Sequence, residues 1–247
     1  MTVTAPPANP LQEFYESPGV PLRSGPDRAQ RQARMLAGML RDFTGPAVVI
    51  DLGCGDGSAL AVAAQHNPAH RFTGIDGSGD ALRSARALGL TVVRAGVAAS
   101  LPVADGVADV VIMSELIEHL VDPDGAVAEA RRVLRPGGTL VACAPNRDSA
   151  PEIAHLVPDW GAASPFDGEE APDIVAAVFP PDAGDTIGVE RWDGPLVTLS
   201  GPDHAAGFLR VHGLSEEAAR AAATTLDLPL PLTMRGCVVY ATRAAGR

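Results

Sequence analysis

The sequence predicts an α/β fold built around a mainly parallel sheet. Between residues 46 and 146, short apolar runs rich in β-branched residues alternate with segments of helical periodicity, and a glycine cluster follows the first run. Strands that alternate with helices form βαβ units, whose strands run parallel. The chain has 247 residues, of which 46% are hydrophobic, enough for one substantial core. We therefore predict a single domain over residues 11–247.

The residues before the first strand divide into two parts. Residues 1–10 are rich in proline and small side chains, which predicts a disordered N-terminus. Residues 11–45 are predicted to hold N-terminal helices, because apolar side chains recur at helical spacing from Pro26 to Phe43 behind the capping candidate Ser24. The pair Gly45-Pro46 ends this pattern.

Residues 46–146 are predicted to form the core of the sheet. The predicted strands are 47–50, 71–75, 91–94, 108–113 and 139–144, with helices at 78–88 and around 127–134. The first strand passes directly into Asp51 and the glycine cluster, the usual transition from a buried parallel strand to a helix.

The region beyond the core loses this rhythm. Residues 147–200 contain six prolines before residue 182 and several acidic residues, without clear periodicity. A segment of this length predicts either a functional lid or insertion, or disorder. Residues 201–247 are predicted to form two C-terminal helices, at 204–211 and 215–226, and a last strand at 231–243.

Charge and composition argue against several classes of protein. The net charge of -11 and the lack of a Lys/Arg-rich run disfavour nucleic acid as a partner. No stretch of 18 apolar residues predicts a membrane span, and the opening residues lack the basic start of a signal peptide, so a cytoplasmic protein is expected. Three scattered cysteines supply neither a disulfide framework nor a paired metal knuckle.

The strongest local signal is the run Asp51-Leu-Gly53-Cys54-Gly55-Asp56-Gly57-Ser58. Glycines at these spacings allow the backbone to pass close to a ligand, because a Cβ would clash or forbid the required dihedral angles. The run also fits a tight structural turn or a dinucleotide fingerprint. The dinucleotide fingerprint, however, requires a third Gly or Ala where this chain has Ser58, and here the acidic Asp51 of the motif lies inside the strand, so a ligand made of a nucleoside and an amino acid is favoured.

A second signal lies at the end of the second strand. Asp76, followed by Gly77, places a carboxylate where it can accept hydrogen bonds from both hydroxyls of a ribose. Dehydrogenases share this feature, so it indicates a nucleoside cofactor without identifying it.

With these and further motifs, the sequence resembles the class I S-adenosylmethionine-dependent methyltransferases, in particular their small-molecule, methyltransferase type 11-like branch. The resemblance covers roughly residues 48–146 and adds Leu101-Pro102, 109–111, 114–120, 132–138 and Ala144-Pro145-Asn146. It implies a Rossmann-like fold with a mainly parallel, seven-stranded sheet and helices on both faces. It also implies S-adenosylmethionine as cofactor, S-adenosylhomocysteine as product and O- or N-methylation of a small molecule.

The resemblance also assigns cofactor-binding roles to individual residues. Asp51 holds the glycine loop or reaches the cofactor's amino group, and the loop wraps the methionine half. Asp76 and Gly77 meet the ribose, and Ser114 faces the cofactor near the transferred methyl. Where family members often carry a carboxylate for adenine, this chain has Val97 and Ala98, which are left with a main-chain contact and an apolar wall. The expected cofactor residues are Asp51, Gly53, Cys54, Gly55, Gly57, Asp76, Gly77, Val97, Ala98 and Ser114.

The segment Glu115-Leu-Ile-Glu118-His119 supports two readings. It resembles the magnesium-binding pattern of small-RNA 2′-O-methyltransferases and of quinone-biosynthesis O-methyltransferases, and residues three apart share a helical face. The same sequence also occurs in family members without a metal, and this chain lacks the histidine-rich segment of the RNA enzymes. We favour a metal-free site in which His119 and Glu118 are catalytic, with His119 as general base or acceptor-orienting residue.

Other functions stay open at this level. A dehydrogenase fits the glycine loop and Asp76 but not the motifs that end at Asn146. An RNA methyltransferase fits the core but needs a basic groove. A non-catalytic cofactor-binding regulator is compatible with the missing acid at Val97. The sequence does not identify the acceptor or the oligomeric state.

Overall fold

A computed structural model describes residues 40, 43, 45–97, 100–158, 160 and 166–246. Within them, seven strands form one sheet in the order β3-β2-β1-β4-β5-β7-β6. The strands are β1 (Val48–Leu52), β2 (Arg71–Asp76), β3 (Thr91–Arg94), β4 (Ala108–Ser114), β5 (Leu134–Pro145), β6 (Thr186–Leu199) and β7 (Leu230–Thr242). β1 to β5 pair in parallel, and β7 runs antiparallel to both its neighbours. The predicted mainly parallel, seven-stranded Rossmann-like sheet is confirmed.

In the described part of the chain, six α-helices connect or flank these strands. They are α1 (Ser58–His66), α2 (Gly79–Ala87), α3 (Pro123–Val133), α4 (Ala171–Val178), α5 (Pro202–Val211) and α6 (Glu216–Ala223). Side-chain caps explain several starts: Ser78 accepts a hydrogen bond from the Ala81 amide, and Asp122 accepts one from the Gly125 amide. Within the described part of the chain, no helix combines the length and apolarity needed to cross a membrane.

Two apolar clusters cover the two faces of the sheet. The α1-face cluster includes Val49, Leu60, Ala63, Phe72, Val110, Ile112, Val141 and Val238. The α3-face cluster includes Ile50, Leu52, Ile75, Val111, Met113, Val127, Ala130, Leu140, Ala142, Val175 and Val239. Successive side chains of a strand point to opposite faces, so the parity of a strand residue tells which cluster it faces.

The region 147–200 differs most from its prediction. It contains α4 and the 14-residue strand β6 rather than only an irregular lid or insertion. Gly188, Gly194 and Pro195 interrupt the strand's apolar pattern, and its register with β7 shifts between Pro195 and Val197. Periodicity therefore could not reveal this strand. The extended pairing with β7 defines it instead.

Other boundaries differ less. β5 begins at Leu134 rather than at Thr139, because Leu134 already pairs with Ala108 before a shift in register. The disordered residues 1–10 and nearly all of the predicted helices within 11–45 lie outside the described residues. Leu40 is helical and buried in the α1-face cluster.

The β6-β7 pair extends past the rest of the sheet. β5 ends at Pro145, opposite Gly236, whereas β6 residues 193–199 continue to pair with β7 residues 230–235. We call these paired residues the ribbon extension. It projects beyond the carboxyl ends of the parallel strands.

A third apolar cluster, the outer cluster, packs on this extension. It joins the extension to α5, α6 and the segment after β5, and its buried members are Ala150, Ile153, Val157, Val197, Leu199, Ala205, Leu209, Ala219, Ala223 and Leu232. The segment after β5 follows the extension, since the Asn146 amide donates to the Arg235 carbonyl (2.9 Å) and the Ala150 amide donates to the Thr233 carbonyl (2.6 Å).

Candidate cofactor and acceptor site

The glycine loop after β1 adopts the backbone conformation that its sequence predicts. Gly53, Gly55 and Gly57 have φ angles of 74°, 55° and 76°, in the left-handed region that side chains disfavour. The loop is tied to β2, because the amides of Gly53 and Cys54 both donate to the Ile75 carbonyl, at 2.8 and 3.2 Å. The turn thus leaves β1 and crosses the end of β2 before α1 begins.

The three glycines have different surroundings. A Cβ on Gly53 would lie 2.8 Å from Leu116 Cδ1, and one on Gly57 would lie 2.8 Å from the Ala85 Cβ. A Cβ on Gly55 would meet no described atom within 4 Å. Gly53 and Gly57 therefore serve close packing, while Gly55 borders open space at the carboxyl edge of the sheet.

Asp76 connects the second signal to the first. One of its carboxylate oxygens accepts a hydrogen bond from the Gly55 amide (2.9 Å), and the other accepts one from the Ser78 amide (2.7 Å). Each carboxylate oxygen has a second lone pair, so further acceptor capacity is left for ligand hydroxyls. Asp76 thereby fixes the glycine loop at the same place where the sequence predicts ribose binding.

Strand parity places four predicted or newly found site residues on one side of the sheet. Asp51 lies two residues after Val49, Ser114 two after Ile112, and Asp76 four after Phe72, so all three belong to the α1 face. Half-buried Cys143 packs against the same cluster from β5. The site therefore lies at the carboxyl ends of β1, β2, β4 and β5, on the α1 side.

Cys54 occupies the interior of the glycine loop. Its thiol is packed so closely on β2 that a Cβ on Gly74 would overlap it. Burial, followed by the nearby carboxylates of Asp51 and Asp76, raises the pKa of Cys54 to about 12. The residue is a neutral, packed thiol at physiological pH and contributes shape rather than nucleophilicity.

The remaining predicted cofactor residues lie at the margin. Val97 is half-buried and packs against the α3-face cluster, and Ala98 lies outside the described residues. Gly77 is exposed, and its carbonyl accepts a hydrogen bond from Arg94 Nε at 3.2 Å. Near Asp76, the described residues thus offer backbone and apolar surface at Val97 and the guanidinium of Arg94 on β3.

The segment after β4 is not the regular helix that the metal hypothesis requires. Glu115 has a φ of 50°, a strained value for a residue other than glycine, and only Ile117–His119 form a short 3-10 helix. Glu115 and Glu118 therefore do not share a helical face, which corrects that expectation. Glu118 is 5% exposed and His119 is exposed. Among the residues that the structure describes, no group of three His, Cys, Asp or Glu is arranged to hold a metal ion.

Acidic residues at the start of α4, including Glu169 from the predicted lid, lie on the opposite face of the sheet. Asp167 accepts hydrogen bonds from Arg147 at its amide (2.9 Å) and Nε (3.1 Å), and Glu169 pairs with Arg191 (3.3 Å). Arg191 on β6 pairs with Cys237 on β7, so both side chains lie on the same face of the sheet. Cys237 belongs to the α3-face cluster. These ion pairs fasten the start of α4 to the sheet on the side away from Asp51 and Ser114.

The two tryptophans have different roles in packing. The Trp160 indole donates to the Ser149 carbonyl (2.7 Å) and stacks on His212 at 4.9 Å, so it anchors the segment after β5 to α5. Trp192, on β6, packs half-buried against the α1-face cluster, as Cys143 does from β5.

Sequence reasoning missed two residues of this site. Leu116 covers Gly53, and Cys143 lies beside Ser114 on the neighbouring strand, paired in register with it. The signal for Cys143 was its position at the carboxyl end of a predicted strand, since every strand end in such a sheet borders the ligand crevice. Leu116 carried no signal, because an apolar residue after a strand is ordinarily core.

Comparison with known proteins agrees with this geometry. Residues 50–142 match the family model described as a methyltransferase domain. A probable S-adenosylmethionine-dependent methyltransferase of Mycolicibacterium smegmatis is 39% identical over 100 residues, which cover 40% of this chain and 38% of that protein. The aligned regions are thus well under two thirds of the curated relatives' own lengths.

Two solved structures share the fold. The YcgJ protein of Bacillus subtilis superposes with a TM-score of 0.64 at 14% identity, over 88% of this chain and 100% of that chain. The plantazolicin methyltransferase BamL, in complex with a triazolic desmethylPZN analog and SAH, superposes with a TM-score of 0.59 at 17% identity, over 87% of this chain and 84% of that chain.

Proposed function

Since this chain carries a methyltransferase domain of the class I, S-adenosylmethionine-dependent family, we propose that it transfers a methyl group from S-adenosylmethionine to oxygen or nitrogen of a small molecule. The observation that carries the proposal is the glycine loop, whose three left-handed glycines are tied to Asp76 and β2. The same loop sequence within a matched family domain favours this cofactor over a dinucleotide.

The described residues fit the cofactor. The open space at Gly55 accommodates the methionine half, with the buried Asp51 carboxylate close by to meet the amino group. Asp76 lies at the end of the adjacent strand, where it accepts hydrogen bonds from the ribose. Val97 supplies an apolar contact for adenine, whereas Ala98, which the sequence resemblance assigns to the same contact, lies outside the described residues.

The chemistry divides between cofactor and protein. When bound, S-adenosylmethionine supplies a methyl group on a sulfonium, which makes that carbon electrophilic. The protein holds the acceptor in line and excludes water, a positioning contribution that can reach about 7–11 kcal/mol. Ser114 and Cys143 border the space where the acceptor approaches, because Ser114 ends β4 and Cys143 lies two residues before the end of β5, both on the α1 side.

His119 is the proposed general base or acceptor-orienting residue. Its exposed side chain lies one short turn after β4, and the buried Glu118, the second proposed catalytic residue, precedes it in the same turn. A base is needed only for an acceptor that must lose a proton, such as a hydroxyl or a protonated amine.

Calorimetry with S-adenosylhomocysteine and with NAD tests the cofactor. We expect binding of the adenosyl ligand alone. The Asp76→Ala variant should bind it more weakly by about 1.5–3 kcal/mol, the value of hydrogen bonds to a charged group. Asp80→Ala, on the exposed side of α2, is the matched control and should bind normally. NAD binding without a response to S-adenosylhomocysteine would refute the proposal.

A chelator tests the metal-free mechanism. Turnover should survive EDTA and fall strongly in His119→Ala, with S-adenosylhomocysteine affinity retained. Activity that is abolished by EDTA and restored by magnesium would instead assign Glu115, Glu118 or His119 to a metal. An acceptor screen with labelled cofactor should include RNA as well as small molecules, and the net charge of -11 argues for the latter.

A further inference from the structure

We infer that Trp192 orients the methyl acceptor and that the acceptor carries a planar apolar ring system. This inference rests on the proposed function and adds a residue and an acceptor class to it. Trp192 belongs to the region for which the sequence predicts only an irregular lid or insertion. Its place in β6 gives it a fixed position relative to the cofactor residues.

Strand parity puts Trp192 on the side of the site. It pairs with Gly236, and the next β7 residue of the same parity, Val238, belongs to the α1-face cluster. Trp192 itself packs against that cluster. Because Asp51 and Ser114 also lie on the α1 face, the indole and the cofactor residues lie on the same side of the sheet, near its carboxyl edge.

Gly236 makes room for the indole across β7. A Cβ there would overlap the Trp192 ring and would also lie 2.6 Å from the Ala144 carbonyl at the end of β5. Gly236 does not have a left-handed φ, so its lack of a side chain is required by space rather than by dihedral angle. The indole therefore reaches from β6 over β7 toward β5, and it is half-buried rather than enclosed.

The space between Ser114 and Trp192 sets the acceptor's size. Ser114 is on β4 and Trp192 on β6, three strand spacings apart, or about 14 Å between backbones. The indole shortens this to a span that a bicyclic or larger ring system fills. The outer cluster closes the same side, since Leu232 and Met234 share the parity of Gly236 and pack into that cluster.

The side chains along this span favour an apolar planar ligand. Cys143 and Trp192 are half-buried and uncharged, and burial raises the pKa of the Cys143 thiol well above its ordinary range. Arg235, on the ribbon extension, is ion-paired to Asp148 and Asp193. An aromatic side chain such as the Trp192 indole stacks favourably on a flat ring.

The chain's two tryptophans allow a direct test of this contact. In protein labelled with 5-fluorotryptophan, Trp160→Phe and Trp192→Phe assign the two fluorine resonances. With S-adenosylhomocysteine present, a panel of planar bicyclic phenols and amines, led by 2-naphthol, should shift the Trp192 resonance. Decahydro-2-naphthol, its saturated counterpart, should not. A shift of the Trp160 resonance alone, or no shift with any planar probe, would overturn the inference.

Kinetics with a panel member that is methylated provides a second measurement. Trp192→Leu should raise the acceptor KM by about two- to tenfold, the value of an aromatic contact, while Trp192→Phe retains most of the affinity. Gly236→Ala should have the same effect by displacing the indole, and Trp160→Phe is the control. An unchanged KM in Trp192→Leu contradicts the inference.

Calorimetry separates the two levels of failure. If wild-type protein does not bind S-adenosylhomocysteine, the proposed function itself fails. If it binds that ligand with equal affinity in wild type and Trp192→Leu, while the planar probes leave Trp192 unaffected, only the assignment of the acceptor fails.

Discussion

The carboxyl edge of the sheet is built differently at its two ends. At β1 and β2, the surface consists mainly of backbone: three glycines with left-handed φ angles and two amides that donate hydrogen bonds to Asp76. At β6 and β7, side chains make it: the Trp192 indole and the outer cluster. A backbone surface suits a cofactor that many proteins share, whereas a side-chain surface can change with the acceptor. Under the proposed function, cofactor and acceptor are therefore recognised by separately alterable structures.

The largest expected effect concerns the independence of the outer cluster. Leu209, fully buried there, should lose about 2–5 kcal/mol of local stability on change to alanine. Hydrogen exchange in Leu209→Ala should rise in α5 and α6, while S-adenosylhomocysteine affinity stays at the wild-type value. Leu60→Ala, a matched change under α1, should destabilise the cofactor edge. Loss of cofactor binding in Leu209→Ala would show that the two ends form one unit.

A smaller effect separates two glycines within the loop. Gly57→Ala should lower the free energy of unfolding by about 3 kcal/mol, from left-handed strain and overlap with Ala85. Gly55→Ala should cost only the strain, about 1–2 kcal/mol, because no described atom lies within 4 Å of its Cβ. Its main effect should be weaker S-adenosylhomocysteine binding, measured by calorimetry. If both variants unfold equally and Gly55→Ala binds normally, the loop is purely structural.

The smallest expected effect concerns the contribution of Asp167 to stability, on the face of the sheet away from the candidate site. Burial alone would raise the pKa of Asp167, but contacts with Glu170 and hydrogen bonds from Arg147 and the Glu169 amide lower it to about 2. Because the pKa is lower in the folded than in the unfolded protein, this carboxylate stabilises the fold at pH values above its unfolded pKa of about 4. The stabilisation is lost as the pH falls toward 2. The loss should be about 2 kcal/mol.

Acid titration of unfolding measures this contribution. The slope of stability against pH between about 4 and 2 should flatten in Asp167→Asn. Glu216→Gln, in an exposed pair with Arg220 on α6, is the control and should leave the slope nearly unchanged. S-adenosylhomocysteine affinity at neutral pH should stay the same in both variants, since α4 is fastened to the opposite face. Weaker binding in Asp167→Asn would mean that the contacts of Asp167 with Arg147 also shape the candidate site.

The two ends also differ in how far the sequence predicts them. The strands from β1 to β4, the glycine loop and Asp76 were predicted, because each depends on a local requirement: an apolar run, a left-handed φ or a carboxylate after a strand. β6 was missed because its pattern is broken by Gly188, Gly194 and Pro195 and because its partner β7 is some forty residues away in sequence. The outer cluster likewise depends on distant pairing. The roles of Glu118 and His119 stay predictions.

Trp192 and Gly236 show the same limit at the level of single residues. Neither is decisive in the sequence alone: the tryptophan fits either the wall of an acceptor pocket or an anchor for a loop, and the glycine has an ordinary φ. Only the pairing of β6 with β7 shows that the absence of one side chain leaves space for the other.

The connection between β6 and β7 has a consequence for how such a chain can diverge. Residues 200–229 connect Leu199, at the end of β6, to Leu230, at the start of β7. Leu199 and Leu230 are paired with each other in the ribbon extension. The closure entropy of a segment between fixed ends grows only with the logarithm of its length, about 0.6 kcal/mol for each doubling. This connection can therefore be lengthened, shortened or replaced at little entropic cost, and the sheet's strand order stays the same. Selection on the acceptor can act on this segment while the glycine loop and its dihedral angles are preserved.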